Sequence, residues 1–219
     1  MNISLKSKHA LVGGSSKGLG NAVAKQLALS GAKVTLVARS NDLLENTISE
    51  LNKLTDCNHE YIICDYNDHE EYTKIMGDYL ENNTIDILVN NTQGPKAGDV
   101  NSLSIEDYQN AFDLLFKNIV FTTMLALEKM KKNKWGRIIN ISSAHGLVGS
   151  INKSAYVASK HGLIGLTKTI ALETAKTGIT CNAICPGWVN TPLVSNQLIK
   201  LSQLNNTSIQ FEEKKLLKE

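Results

Sequence analysis

Ser143, Tyr156 and Lys160 are the residues whose types and spacing point most directly to chemistry. They lie in the stretch SSAHGLVGSINKSAYVASK, with Ser143 thirteen positions before Tyr156 and Lys160 four positions after it. A tyrosine and a lysine at i, i+4 share one face of a helix. A phenol with a pKa of about 10 is a poor base at neutral pH, and an ammonium beside it favours the phenolate. Ser143 follows the apolar run Ile138–Ile141, which reads as a strand, so a loop can fold its hydroxyl back toward Tyr156. From there it can donate to a carbonyl oxygen under reduction or to an alkoxide. The set suits acid–base work at an oxygen while a hydride moves at the attached carbon, and the hydride carrier must be held elsewhere in the chain. Tyr-x-x-x-Lys is also an ordinary surface pair on a helix, so the reading depends on the elements around it.

Those elements begin with the short apolar strand His9–Val12, the run Gly13-Gly14-Ser15-Ser16-Lys17-Gly18-Leu19-Gly20, and the helical pattern NAVAKQLALS. A glycine loop between a strand and a helix brings backbone N–H groups and the positive end of a helix to a pyrophosphate. Candidate cofactor contacts in it are Gly14, Ser16, Lys17, Gly18, Leu19 and Gly20. The second strand, Lys33–Ala38, ends at Arg39 with no acid between Val34 and Asn41. A basic residue there accommodates a 2′-phosphate, whereas an acid would bond the ribose hydroxyls. Arg39 and Lys17 thus favour NADP(H), with a solvated loop arginine as the plain alternative. A helix is expected over Asn41–Leu54 and a strand over Tyr61–Cys64 ending at Asp65, which can approach the adenine end. A helix over Asp68–Glu81 and a strand over Ile85–Val89, followed by Asn90-Asn91-Thr92-Gln93-Gly94, come next. Ser104–Lys132 reads as one long helix opened by a Ser104/Asp107 cap. Ser154–Lys176 reads as the helix of Tyr156 and Lys160, and Ile179–Ile184 as a sixth strand. The loop Pro186-Gly187-Trp188-Val189-Asn190-Thr191-Pro192 follows, and Thr191 is placed to bond a nicotinamide amide.

This alternation predicts an α/β fold: a doubly wound, Rossmann-type parallel sheet with helices on both faces and ligands at the carboxyl edge. One domain over 1–219 is expected, a core over 1–192 and a helical lid segment over 193–219. The composition is 42% hydrophobic with a net charge of +2, and the basic residues are scattered, which argues against a nucleic-acid partner. No apolar run approaches the ~18 residues of a membrane span, so no membrane partner is expected. The N-terminal stretch runs directly into the glycine loop, unlike a signal peptide. Cytoplasm is the expected location. Cys57, Cys64, Cys181 and Cys185 lack metal-site spacing and read as small reduced thiols. No metal site is expected.

Taken together, Gly14/Gly18/Gly20, Asn90-Asn91, Ser143, Tyr156-x-x-x-Lys160 and Pro186-Gly187 resemble, in order, the short-chain dehydrogenase/reductase family from about Lys8 to Thr191. The resemblance implies NAD(P)-dependent oxidoreduction at a CH–OH group. Tyr156 would be the acid/base, Lys160 would lower its pKa and hold the ribose, and Ser143 would position the carbonyl. It also implies cofactor contacts at Asn91, Pro186, Gly187, Val189 and Thr191, and a homo-oligomer, tetramer or dimer, built on the two long helices. The stretch WGRIINISSAHGLVGSINKSAYVASK and its continuation through NTPLV is similar to the D-3-hydroxybutyrate dehydrogenases of that family. That similarity implies a small carboxylate substrate, such as (R)-3-hydroxybutyrate, held by His145, Lys153 and Gln197, with Gln93 and Trp188 also lining the substrate space. It favours NAD, against Arg39.

The sequence departs from the family in four ways. Gly13 replaces a usual threonine, and Gln93 replaces a glycine. The asparagine of the long helix falls on Leu115 in a gap-free count, with Asn118 one turn later. The first 135 residues look closer to NADP-type reductases. The family continues past the position of Glu219 with a helix and a strand, so the C-terminal edge of the sheet is expected to be incomplete or built differently. Alternatives are therefore an NADPH-dependent 3-oxoacyl thioester reductase and a cofactor-binding protein with impaired catalysis.

Overall fold

A computed structural model describes residues 3–216 of the chain. Its residues form two compact units, 1–185 and 186–219. The boundary falls seven residues before the expected one, because strand pairing stops at Ile184 and Pro186 has no N–H with which to continue it.

In the first unit, strands β1 (His9–Gly13), β2 (Lys33–Ala38), β3 (Glu60–Ile63), β4 (Ile87–Asn90), β5 (Gly136–Ile141) and β6 (Ile179–Ile184) make one parallel sheet in the order β3-β2-β1-β4-β5-β6. The order reverses at β1/β4, so the carboxyl ends of these two strands flank the crevice where such sheets bind ligands. Alternation along the strands splits the core. Ala10, Val12, Val34 and Leu36 pack under helices α1 (Gly18–Leu29) and α2 (Asn41–Leu54) through Ala24, Ala28, Leu44 and Leu51. Leu11, Val37, Leu88 and Ile138 face α3 (His69–Asn82) and the two long helices through Tyr72, Met76, Ala126, Met130 and Ile170. β6 is one edge of the sheet, β3 being the other, and its Thr180, Asn182 and Ile184 are exposed.

The helix expected over Ser104–Lys132 runs from Ile105 to Asn133 but is not one regular α-helix. Helix α4 (Ile105–Phe112) gives way to a π-turn at Asp113–Lys117 before α5 (Asn118–Asn133). Its N-terminus carries the expected capping box of Ser104 and Asp107. Taken as one helix of 29 residues it is long and apolar enough, by length and average composition alone, to cross a membrane, although no continuous apolar run in it approaches that length. Leu114, Leu115, Ile119, Ala126 and Met130 are buried in the core. Helix α6 (Ser154–Glu173) carries Tyr156 and Lys160.

Two histidines at the amino edge of the sheet have their pKa values lowered. His59 accepts a hydrogen bond from the Val34 N–H at 3.1 Å and pairs with Thr55 Oγ1 at 2.7 Å. Burial, then the Lys33 charge, pushes its pKa below the usual value, and the same two causes act on His9. A depressed histidine means that the unfolded chain takes up protons that the native one refuses, so stability falls as pH drops below about 6.5. Urea midpoints are expected to fall between pH 7.5 and 5.5, and less steeply in His59→Gln. Equal slopes would remove His59 from the account.

In the second unit, α7 (Pro192–Asn205) is capped by Thr191, whose Oγ1 accepts from Val194 N at 3.4 Å. It turns through Asn206 at φ +52° into α8 (Ile209–Leu216). Glu212 accepts from Asn205 Nδ2 at 3.0 Å and from Thr207 Oγ1, closing the hairpin.

Candidate active site

The glycine loop is shaped by what cannot fit in it. Gly14 and Gly18 have φ of +56° and +60°, a region that L side chains avoid. A Cβ on Gly20 would lie 2.4 Å from the Gly14 carbonyl oxygen and 2.8 Å from Asn91 Nδ2. Asn91, just past β4, donates from Nδ2 to the Gly13 and Gly14 carbonyls at 3.1 and 3.3 Å. Besides its expected contact with the cofactor, Asn91 thus ties the loop of β1 to the end of β4. Ser15 locks the other side, where its Oγ accepts from Val37 N at 2.9 Å. Ser16 is half-buried, Lys17 is exposed, and Leu19, in the first turn of α1, packs against the core. Helix α1 starts at Gly18 with no acidic residue in its first turn and no side-chain cap on its N–H groups. The cradle has backbone donors, a helix N-terminus and no side chain to fill it, which fits the pyrophosphate of a nicotinamide dinucleotide.

Gly13 has a local explanation. A Cβ there would meet the Tyr66 hydroxyl at 2.5 Å and the Asn91 carbonyl at 2.7 Å. Tyr66 reaches under the loop and tilts against Tyr72 with ring centroids 4.7 Å apart. The sequence singled out Gly13 but not the tyrosine that excludes a side chain from it.

Arg39 is not a free loop arginine. Its Nη2 donates to Gln93 Oε1 at 2.6 Å, and its Nη1 lies 3.7 Å from Asp65 Oδ2. Gln93, expected beside the substrate, thus has its amide oxygen turned to Arg39. Asp65 also accepts from Asn67 N and Nδ2, at 2.9 and 2.8 Å.

At the other end of the crevice, Ser143 follows β5 and is nearly buried. Its Oγ accepts from His145 N at 3.2 Å and is hydrogen-bonded to the Tyr156 phenol. The His145 ring stands edge-on to the Tyr156 ring at 6.4 Å. Lys153 immediately precedes α6 and bridges to Gly98, so the loop after β4 is pinned beside it. Ser143, His145, Lys153, Tyr156 and Lys160 all belong to the first unit, and the Tyr156 phenol meets Ser143 and the His145 ring.

Burial raises the Tyr156 pKa, and the hydrogen bond with Ser143 opposes the rise. Lys160 donates from Nζ to the Ile141 carbonyl at 2.7 Å and lies 5.7 Å from the Tyr156 ring centroid. Its own pKa is pushed down to about 8 by burial, with Cys185 acting the other way. It is therefore still mostly an ammonium at neutral pH.

Neither candidate for the asparagine of the long helix is available for proton relay. Leu115 is buried and apolar. Asn118 is buried too, but its Nδ2 donates to the Tyr66 carbonyl at 2.8 Å and its Oδ1 pairs with His69 Nδ1 at 2.5 Å. Pro186, Gly187, Trp188, Val189, Thr191 and Gln197 all belong to the second unit, where Thr191 caps α7 and Gln197 is exposed on that helix. The four cysteines are free, and burial pushes the Cys64 thiol to about 12 and the Cys181 thiol to about 11.

Comparison with known proteins agrees with this geometry. A family model described as short chain dehydrogenase matches residues 8–201. The D-beta-hydroxybutyrate dehydrogenase of Cupriavidus necator is 38% identical over 218 residues, 98% of this chain and 83% of that protein. The acetoacetyl-CoA reductase of an Acinetobacter species is 33% identical over 193 residues, 87% of this chain and 77% of that protein. Among solved structures, actinorhodin polyketide ketoreductase with NADPH superposes with a TM-score of 0.84 at 32% identity, covering 96% of this chain and 81% of that one.

Proposed function

The chain belongs to the short-chain dehydrogenase family and is a nicotinamide-dependent oxidoreductase of a CH–OH group; from that premise we propose that it interconverts (R)-3-hydroxybutyrate and acetoacetate, with NADP(H) as the preferred carrier. The observation that carries the substrate reading is His145 edge-on to Tyr156 and bonded to Ser143, with Lys153 at the N-terminus of the helix that carries Tyr156. A small 3-keto acid has its carboxylate two carbons from the reacting one. A cation and an oriented ring donor suit that anion. Arg39 supports the carrier reading, since its guanidinium stands at the end of β2 where a 2′-phosphate would lie.

When bound, the nicotinamide supplies or takes up the hydride at the substrate carbon. The chain's own residues handle the oxygen. In reduction, Ser143 donates to the carbonyl and Tyr156 releases its proton to the forming alkoxide, leaving a phenolate. In oxidation, the phenolate takes the hydroxyl proton. The Lys160 ammonium stabilises that phenolate. Pro186, Gly187, Val189 and Thr191 are assigned to the cofactor, and Trp188 and Gln197 to the substrate. We place the enzyme in the cytoplasm, where four free cysteines remain reduced. It would be a homo-oligomer whose copies cover the exposed Ile105, Met124 and Leu172 of the long helices.

The test is absorbance of the reduced nicotinamide during turnover of (R)-3-hydroxybutyrate. Tyr156→Phe should lower turnover by about 10²–10⁴-fold while cofactor affinity is kept. Lys153→Met should raise the KM for hydroxybutyrate by about 10–100-fold. A second reading is a 3-oxoacyl thioester reductase, favoured by the exposed Leu147, Val148 and Ile151 on the loop after Ser143, which suit an acyl chain. Lys153→Met would then leave acetoacetyl-CoA reduction untouched, and hydroxybutyrate would not be turned over by the wild type.

A further inference from the structure

Gln93 and Arg39 meet across a strand that belongs to neither. Arg39 follows β2, Gln93 lies three residues past β4, and β1 runs between those strands. Their 2.6 Å hydrogen bond therefore bridges the mouth of the glycine loop at the end of β1. The bridge is chemically selective. An amide oxygen fixes one guanidinium nitrogen without cancelling the charge, and the remaining N–H groups of the fork stay able to donate. The Asp65 carboxylate beside Arg39 is 3.7 Å away, and its other oxygen is occupied by Asn67. A glutamate in place of Gln93 would neutralise Arg39 and repel a phosphate. A glycine would leave the arginine to swing toward Asp65.

We infer that Gln93 is a specificity-determining residue for the cofactor: it holds the Arg39 guanidinium across the glycine loop, against the pull of its longer 3.7 Å ion pair with Asp65, so that the charge can meet a 2′-phosphate. This rests on the NADP(H) reading and makes selection of that phosphate depend on the β4 loop as well as on β2. The effect should appear in binding, and only for dinucleotides that carry the 2′-phosphate.

The experiment is calorimetric titration of the full chain with NADP⁺ and with NAD⁺, for the wild type, Arg39→Ala, Gln93→Ala and Gln93→Glu. In the wild type NADP⁺ should bind more tightly than NAD⁺, and Arg39→Ala should abolish the difference. Gln93→Ala should weaken NADP⁺ by about 5–10-fold and leave NAD⁺ within about two-fold. Gln93→Glu should weaken NADP⁺ by more than Gln93→Ala does, with NAD⁺ again unchanged. If Arg39→Ala abolishes the preference but Gln93→Ala preserves it, the role of Gln93 is overturned and the NADP(H) reading stands. Equal losses for both cofactors in Gln93→Ala overturn it as well, because Gln93 would then support the loop in general. A wild type with no preference for NADP⁺, or one that keeps its preference in Arg39→Ala, overturns the NADP(H) reading and the inference with it.

Discussion

Lys160→Met should yield a protein that has lost about 10²–10⁴-fold in turnover and yet is at least as stable as the wild type at pH 7. Lys160 is 4% exposed and its pKa is lowered from 10.5 to about 8. A base whose folded pKa is depressed destabilises the native state wherever it is still charged. Here that penalty is fully present below pH 8 and is relieved as pH rises toward 10.5, and the shift corresponds to about 3 kcal/mol. Methionine has a similar volume and no charge to bury. It also removes the donor to the Ile141 carbonyl, and an orphaned buried acceptor costs about 1–3 kcal/mol. The difference leaves the variant about 0–2 kcal/mol more stable by these estimates. Denaturant unfolding at pH 7 and pH 9.5 checks this. The wild type should gain stability over that interval and the variant should not. A variant clearly weaker than the wild type at pH 7, or one with the same pH slope, would show that Lys160 is not under electrostatic strain. The same ionisation gives carbonyl reduction by the wild type an alkaline limb, because a neutral amine above about pH 8 no longer supports the phenolate.

Gly20→Ala should abolish dinucleotide binding at ordinary concentrations. The new methyl would sit 2.4 Å from the Gly14 carbonyl oxygen and 2.8 Å from Asn91 Nδ2. Neither is the loose end of a flexible side chain. The first is backbone, and the second is tied to the Gly13 and Gly14 carbonyls. Relief requires the loop to move away from α1 or Asn91 to leave it. A displacement of about 1 Å in a positioning element lowers function by about 10²-fold, and overpacking adds about 1–3 kcal/mol of lost stability. Gly77→Ala in α3 is the control, since its Cβ would meet only Phe121 at 3.7 Å and removing a helical glycine stabilises by about 0.5–1 kcal/mol. Cofactor titration and thermal unfolding of both variants decide the matter. Normal cofactor affinity in Gly20→Ala would mean that the close approach of α1 to the loop is not required for binding.

The parts of this architecture that depend on local pattern were legible in the sequence. Alternating strands and helices predict the parallel sheet, the Ser104/Asp107 cap is seen, and the spacing of Ser143, Tyr156 and Lys160 brings them together. What escaped depends on partners distant in the chain. A π-turn at Asp113–Lys117 leaves the apolar periodicity of the long helix almost unchanged, so composition does not betray it. The destination of Lys160 Nζ is a carbonyl nineteen residues earlier, a partner that the spacing to Tyr156 does not reveal. Gln93 looks like a substrate ligand in the sequence because its position beside Asn91 is legible there, while the reach of its side chain to Arg39 is not. Asn118, the alternative to Leu115 in the long helix, is committed to Tyr66 and His69, which lie 52 and 49 residues away.

The neighbouring asparagines Asn90 and Asn140 act as a registration mark within an otherwise repetitive sheet. They are opposite one another on β4 and β5, and Asn90 Nδ2 donates to Asn140 Oδ1 at 2.8 Å. Asn90 also donates to Thr123 on α5, and Asn140 to Thr167 on α6. The strands around them are short apolar runs of Ile, Leu and Val, whose faces would look much the same after a slip of two residues. A slipped pairing would bury each amide without its partner, at about 1–3 kcal/mol per group. The buried amides thus encode which alignment is native. An all-aliphatic replacement of Asn90 and Asn140 would take away the signal that tells one alignment from its near-copies.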